Sequence, residues 1–542
     1  MSTLARATAV MSVGTVLSRV TGLARLAAIG AAIGVAETRL ADAYNLANTA
    51  PNIIYELVLG GILTSVFVPV FVELLEKEGR EEAWRVASAI INLSLVVLMA
   101  IVAIGIVAAP LIARFYTLAV EGDTAAAQRE VLTFLLRVFL PQIVFYALAA
   151  ITAGLLNAHK RFGPPMYTPV LNNLAVILVF LAFHAAYPTV TLETVDTRHL
   201  WIIGLGTTGG VALMALAQLP FLRGLGRYRL SMDFRHATVK KLARLSVFVI
   251  GYVIVNQIGY LIVQVLANGQ QGGYSAYVFA FTFFMLPHGL FAVSVITALL
   301  PGMSEHAVHE RWDDFKDRLS VGIRATVLLV LPAAIGYFVL SRPVVKLLLE
   351  RGVFSEQSTD LVSAVLRFFV LGLVPFSLFQ LLLRGFYAMQ DTRTPFSINC
   401  AAVGLNIAIN IPLFALIGVE GLAAGHAVAY SFGFALQLWW LRKRIGPLGG
   451  RRIVESTVRI GSAAIGMGAV VWGLSRWFEA LAPQPSTTMQ VVTLSIAVIA
   501  GISVYLGLAR ALRVEELALA RGIVARRLKS PPEPHIGPDD SR

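Results

Sequence analysis

Fourteen stretches of mostly apolar residues recur along this chain, each about 20 residues or longer, and they constrain its fold more than any motif. A run of that length crosses a hydrocarbon slab of about 30 Å as a single helix. The stretches lie near 10–35, 41–72, 86–110, 131–158, 165–187, 200–222, 242–267, 274–303, 320–341, 361–388, 396–417, 420–441, 453–477 and 489–511. Composition agrees: 57% of the 542 residues are hydrophobic and 14% are charged, against about 25% charged in soluble domains. Inside lipid each backbone polar group has to be satisfied within its own segment, so the fold class is an all-α integral membrane protein. A basic residue, Arg6, precedes the first apolar run. Arg19 interrupts that run and no small-residue cleavage site follows, so it reads as a first membrane helix rather than a removable signal peptide.

The net charge is +13, and its placement matters more than its size. Alternate connections between the runs hold "KEGREEAWR", "HKRFG", "RGLGRYRLSMDFRHATVKK", "ERWDDFKDR" and "RKRIGPLGGRR". With the termini, that set carries about 29 basic residues against about 7 in the other set. The positive-inside rule then puts both termini in the cytoplasm, and the basic charge reads as an orientation signal rather than a nucleic-acid surface. A single cysteine, Cys400, rules out an internal disulfide and a cysteine-based metal site. No Lys follows a Gly, so there is no phosphate-binding loop of the Gly-Lys type, and no cofactor is expected. "EHAVHE" (305–310) matches neither zinc-protease spacing, so no metal site is expected either. "GLGTTGG" (204–210) lies inside a membrane run with no strand before it, which removes a dinucleotide reading. With no nucleophile and base in an arguable pair, the chain does not read as an enzyme.

An internal repeat organises the runs. "GLLNAHKRFGP" (154–164) and "GFYAMQDTRTP" (385–395) share a Gly, a short polar turn and a closing Pro, about 231 residues apart. "ILTSVFVP", ending at Pro69, and "SVITALLP", ending at Pro301, repeat at nearly the same offset. The expected architecture is two six-helix lobes around a central cavity plus two extra helices. The N-lobe is 1–222 (helices 1–6) and the C-lobe 223–452 (helices 7–12), with a cytoplasmic linker at 223–241. Helices 13 and 14 occupy 453–511. Parallel repeats of this kind are typical of transporters that rock about a central site. The tail 512–542 divides into "RVEELALARGIVARRLK", a basic amphipathic segment suited to the anionic inner leaflet, and a Pro-rich polar end expected to be disordered.

Charges inside the runs carry the functional signal. Arg324, Arg384 and Arg459 fall near cytoplasmic ends and can snorkel to the interface. Arg19 and Arg25 straddle the middle of helix 1, about 9 Å apart along its axis. A guanidinium at the bilayer centre costs at least about 2.5–3.5 kcal/mol, so both face the bundle interior or a wet cavity. One reading is an anion site, because guanidinium forks match phosphate oxygens. The other is an internal ion pair, with Glu56, near the middle of helix 2, on one arginine and Asp42 on the other. Gly22, Gly30 and Gly34 suit close helix packing or a bending helix. The amides Asn45, Asn48, Asn52, Asn256 and Gln257 stand among the polar side chains of a hydrated interior.

"SRVTGLAR" (18–25), "ADAYNLANTAPN" (41–52), "GLLNAHKRFGPPMYTPVLNN" (154–173), "FAVSVITALLPGMS" (291–304) and "RGFYAMQDTRTP" (384–395) together resemble the MurJ/MviN family of bacterial lipid II flippases, in an actinobacterial-like spelling. The resemblance runs from about residue 10 to 510. It implies two lobes about a cavity, helices 13 and 14 forming a lipid-facing groove, and membership of the superfamily of multidrug and polysaccharide-lipid exporters. The implied partner is lipid II, the undecaprenyl-diphosphate-linked peptidoglycan precursor, carried from the inner to the outer leaflet of the bacterial cytoplasmic membrane by alternating access. Other implied partners are the membrane lipids and cell-wall synthesis proteins, with coupling to an ion or the membrane potential left open. Residue by residue, the family's Ser-Arg and following Arg fall on Ser18, Arg19 and Arg25 as substrate-binding groups, and its Asp on Asp42 as a gate or charge partner, a role in which Glu56 joins it.

The chain also departs from that pattern. Tyr55 and Glu56 stand where many members carry two arginines after the Pro-Asn of helix 2, and Thr282 replaces an Arg shortly before Pro287. The cavity is therefore less cationic than the family norm. Two alternatives stay open: an ion-coupled exporter of drugs or another polyprenyl-linked oligosaccharide, and a non-transporting cell-wall scaffold.

Overall fold

The computed structural model describes residues 3–56, 68–226, 228, 237–482 and 486–517, and every regular element among them is helical. In chain order the α-helices are α1 (Thr3–Ile33), α2 (Leu40–Tyr55), α3 (Val68–Lys77), α4 (Arg80–Tyr116), α5 (Gly122–Phe139) and α6 (Gln142–Ala158). Next come α7 (Gly163–Ala186), α8 (Thr197–Leu216), α9 (Ala237–Gly269), α10 (Gly273–Pro287), α11 (Val293–Val308) and α12 (Trp312–Leu349). The last six are α13 (Glu356–Leu371), α14 (Leu373–Ala388), α15 (Arg393–Ile417), α16 (Val419–Ile445), α17 (Gly450–Leu481) and α18 (Thr487–Ala511).

Ten spans among the described residues are long and apolar enough to cross a membrane, and α13 with α14 makes an eleventh, bent by 48°. The expected count of fourteen is therefore not reached, and three stretches account for the difference. The run 41–72 continues from α2 into residues 57–67, outside the described ones, and α9 qualifies only as the shorter apolar helix Val253–Gly269. The third, α16, is long enough, but His426 and Gln437 dilute its apolar stretch. The run read as one helix at 361–388 is two helices meeting at Gly372. The one at 131–158 is interrupted at Pro141, whose ring cannot donate to the ladder.

Contacts divide the chain into two compact units, each assembled from several segments. The first comprises 1–286, 344–369 and 396–433; the second 287–343, 370–395 and 434–542. In the first, α1 packs along α7, with Gly14 against Met166 and Gly22 facing Asn173. Small residues at such contacts let backbones approach, which is how helices associate without a hydrophobic drive in lipid. Tyr44 is buried edge-on to Phe139 and Phe180, and its hydroxyl meets Thr207 Oγ1 at 2.9 Å. A buried phenol needs such a partner.

In the second unit Gly322 lies beneath Leu299 and Leu381, and Gly468 against Ile335. The Tyr505 hydroxyl donates to the Leu328 carbonyl at 2.7 Å. After Pro287 the ladder loosens into a π-helical stretch, His288–Ala292, and the His288 Nδ1 meets Ser377 Oγ at 3.0 Å. Arg324 does not snorkel as its position suggested. It is 3% exposed and paired with Glu516, itself 5% exposed, just beyond α18. Glu516 belongs to the tail segment read as basic and surface-bound, and residues 518–542 of that tail lie outside the described ones.

The sequence repeat has a geometric counterpart. Lys160 and Gln390, about 230 residues apart, both take left-handed backbone with φ of 59°. The same bond closes each turn: Arg161 N–H to the Leu156 carbonyl, and Asp391 N–H to the Phe386 carbonyl. Of the second repeated motif, the part before Val68 lies outside the described residues.

Candidate functional site

The site builds from α1 outward. Arg19 is exposed on a helix whose neighbouring Val16 and Val20 are exposed as well. Arg25 sits near the middle of the apolar span Val13–Ile33 and is half-buried, its Nε enclosed without a hydrogen-bond partner. The phenols of Tyr44 and Tyr146 are the groups it influences electrostatically. Among the described residues neither arginine pairs with a carboxylate. Ser18 contributes its carbonyl, which accepts from Asn173 Nδ2 at 3.2 Å, while the same amide donates to Thr21 Oγ1 at 3.0 Å. That bond holds α1 against α7 beside Arg19. The helix thus carries two guanidinia, one exposed and one with an idle donor, and a guanidinium of either kind matches an oxyanion.

Asp42 faces elsewhere. It is 0% exposed and caps the start of α10: Gly272 N–H donates to Oδ2 at 2.7 Å and Ser275 N–H to Oδ1 at 2.9 Å. Asn45 Nδ2 donates to Ser275 Oγ at 3.0 Å, so two predicted site residues converge on one helix start. Gly272 has φ of 72°, and a Cβ there would stand 2.6 Å from the Val35 carbonyl oxygen, so both conformation and space demand glycine.

Around this cap three connections meet. Arg39 donates to the carbonyls of Asn268 (2.7 Å) and Gly269 (3.2 Å), and Gln271 Nε2 to that of Ala36 (2.9 Å). Glu37 turns back on the end of α1 and accepts Val35 N–H at 2.7 Å, Ser355 N–H at 2.9 Å and the Ser358 hydroxyl at 2.7 Å. Burial alone would raise the Glu37 carboxyl, but these bonds from Ser355, Ser358 and Val35 together hold it below its ordinary value. Ser358 Oγ in turn accepts Ala36 N–H at 2.9 Å, and Val353 N–H donates to the Ala31 carbonyl at 2.8 Å. The connection α1–α2 is thus bolted to those before α10 and α13.

The remaining predicted residues separate into two groups. Asn48 is half-buried with Oδ1 unpartnered, Asn52 Nδ2 donates to the Asn48 carbonyl at 3.3 Å, and Glu56 is exposed at the last described turn of α2. Tyr55 packs on Tyr146 with ring centroids 6.0 Å apart, and Thr282 Oγ1 is spent on the Val278 carbonyl. Asn256 and Gln257 instead line a cavity of about 410 Å³ among α9, α10, α15 and α16. Sequence reasoning missed Glu37, Arg39, Ser275 and Ser358. Their only trace was that "GVAETR", between two apolar runs, holds charges of both signs where a plain turn needs neither.

Lipid-length helices, with two arginines inside one span that pair with no carboxylate among the described residues, define the class of a polytopic membrane transporter. Solved structures agree on the fold. The chain superposes on a structure titled lipid II flippase MurJ, inward closed conformation, with a TM-score of 0.74 and 22% identity, over 95% of this chain and 99% of that one. A multidrug resistance MATE family transporter of the MOP superfamily gives 0.63 at 13% identity, over 79% of this chain and 96% of that one.

The chain belongs to the lipid II flippase MurJ family, whose sequence model matches residues 29–492. A probable lipid II flippase MurJ of Haemophilus influenzae is 31% identical over 477 residues, 84% of this chain and 90% of the relative. The lipid II flippase MurJ of Burkholderia cenocepacia is 30% identical over 483 residues, 87% and 89% respectively.

Proposed function

We propose that this protein flips lipid II from the inner to the outer leaflet of the bacterial cytoplasmic membrane by alternating access, with both termini in the cytoplasm. A diphosphate cannot cross hydrocarbon uncompensated, because an isolated buried charge costs tens of kcal/mol in the idealised limit. Arg19 and Arg25 supply the compensation, with Ser18 beside them, inside a cavity between an N-lobe of 1–222 and a C-lobe of 223–452; the helices of 453–511, α17 and α18, take the polyprenyl chain. The observation that carries this reading is the idle, enclosed Nε of Arg25 in a span where no carboxylate neutralises either arginine among the described residues.

The Asp42 cap and the Glu37 bolt support a second element of the cycle. By the charge asymmetry of the connections, this end of the helices faces outward, so the bonded connections form the outer gate in its shut state. Opening has to exchange the bonds of Asp42 to Gly272 and Ser275 for others, and the freed carboxylate then competes for an arginine or acts as the gate itself. Such a difference between states is required, because a ligand held equally in both shifts nothing.

The test is flipping of lipid II by Arg19→Ala and Arg25→Ala, each checked for insertion and abundance. Each loses about 2–3 kcal/mol of charge-assisted bonding, a 30- to 150-fold fall in transport. Normal flipping by both variants rejects the assignment.

A further inference from the structure

The cavity among α9, α10, α15 and α16 has a chemistry unlike that of the arginine site. At about 410 Å³ it falls in the range of small-molecule sites, about 300–1,000 Å³. Tyr277 and Phe281, one turn apart on α10, form one wall with their rings within 7° of parallel and their centroids 6.4 Å apart. Tyr430 adds a third ring from α16, and the amides of Gln257, Asn399 and Asn406 enter from α9 and α15. No Asp, Glu, Lys or Arg lines the space.

Asn399 marks what is missing. It is 1% exposed, and its Nδ2 is enclosed without a hydrogen-bond partner. Asn406 differs, since its Oδ1 accepts from Asn410 Nδ2 at 3.0 Å. A buried amide donor left idle is costly, so Asn399 needs an acceptor from within the cavity. Flat aromatic faces beside planar amides suit a ring with apolar C–H faces and a rim of hydroxyl or acetamido groups. With no Lys or Arg in the lining, a phosphate entering here would lose its hydration and gain no cationic partner.

We propose that this chamber binds an uncharged sugar ring. On the transport reading above, on which this biological role rests, it receives a sugar of the lipid-linked headgroup while the diphosphate stays with Arg19 and Arg25. Charge and sugar recognition are then separate within one unit of the fold: guanidinia on α1 for one, amides and rings on α9, α10, α15 and α16 for the other.

The probe is N-acetylglucosamine, followed by saturation-transfer NMR on the full chain in a zwitterionic detergent that carries no sugar of its own. Saturable binding to the wild-type protein is expected, weakened about tenfold or more in Asn399→Leu, which removes the idle donor. Val403→Phe fills the chamber while keeping that amide in the chain and gives the same loss, so a folding defect in the first variant does not decide the matter. N-acetylglucosamine 1-phosphate binds at least about tenfold more weakly than the neutral sugar. Absence of saturable binding, wild-type affinity in both variants, or equal affinity for the phosphate ester overturns the proposal; the first outcome makes the chamber a water site only. Absence of lipid II flipping by the wild-type protein, alongside the expected loss of sugar binding in Asn399→Leu, sinks the transport reading and leaves the chamber standing.

Discussion

Arg25 and Arg324 both lie in apolar helices, and they meet opposite fates. Arg324, 3% exposed on α12, is neutralised by Glu516 from the segment after α18, and Glu515 on the same turn reaches it at 3.9 Å. Arg25 on α1 has no carboxylate among the described residues, and neither has Arg19. The difference separates two uses of a costly charge. A buried guanidinium that carries its own counterion is a structural tie, pinning the chain after α18 to α12 and α17, where Arg452 holds Glu515 at 2.8 Å. On the proposed transport reading, a guanidinium without one keeps its charge for a ligand that comes and goes. Burial is therefore the wrong guide to function here; the partner decides.

The largest effect follows from breaking the tie. Glu516→Gln leaves buried Arg324 with only the exposed Glu515, 3.9 Å away, as counterion, a loss of up to about 3–5 kcal/mol when one member of a buried pair is removed. The expected readout is a lower thermal midpoint of the purified protein. Replacing both members, Arg324→Met with Glu516→Met, restores most of that stability, since desolvation is then no longer owed by either ion. An Arg25→Met variant runs the other way, unchanged or raised in stability while flipping collapses. If Glu516→Gln is as stable as wild type, or Arg25→Met is destabilised as much, the contrast between tie and site is lost.

Next in size is the gate. Asp42→Asn keeps the shape but replaces a carboxylate that accepts two backbone N–H groups with an amide that offers only one oxygen. Bonds to a charged group are worth about 1.5–3 kcal/mol each, so the shut state loses at least tenfold in population relative to the open one. Labelling of a cysteine placed at Ser275 by an impermeant thiol reagent reports the change, with Cys400 replaced by Ser in the background. Faster labelling in Asp42→Asn is expected, and an unchanged rate removes Asp42 from the gate.

The bundle was legible because lipid imposes a length and a polarity on every span, and Arg19, Arg25 and Asp42 stood out as charges that break that rule. The repeat was legible too, since Lys160 and Gln390 close turns that need a polar stop between apolar helices. What escaped was pairing over distance. Nothing in "RVEEL" announces that Glu516 reaches Arg324, 192 positions earlier, or that Asp42 seeks backbone N–H groups rather than a guanidinium. A carboxylate can be satisfied by a helix start as well as by a cation, and backbone donors carry no sequence signature. The bend at Gly372 was hidden for a related reason: 361–388 is apolar throughout, so hydropathy reads one span where the chain makes two helices.

The smallest effect refines the same contrast by setting a bolted carboxylate against the unpaired arginines. Glu37 lies outside the spans and its carboxyl is held below the ordinary value of 4.5 by bonds from Ser355, Ser358 and Val35, which together outweigh its burial. A depressed folded-state value means that the unfolded chain takes up the proton first. The stabilisation is then complete above about pH 4.5 and is lost as the pH falls through the folded value. Since Glu37 is only half-buried, solvent screening keeps its share under about 1 kcal/mol. The wild-type protein should unfold at a higher temperature than Glu37→Gln near neutral pH, and the gap should close below pH 4.5. Arg25→Met offers the control, because it leaves the Glu37 carboxylate in place and its difference from wild type stays flat. A gap for Glu37→Gln that persists or widens in acid means that the bolt is held by shape rather than by the charge on its carboxylate.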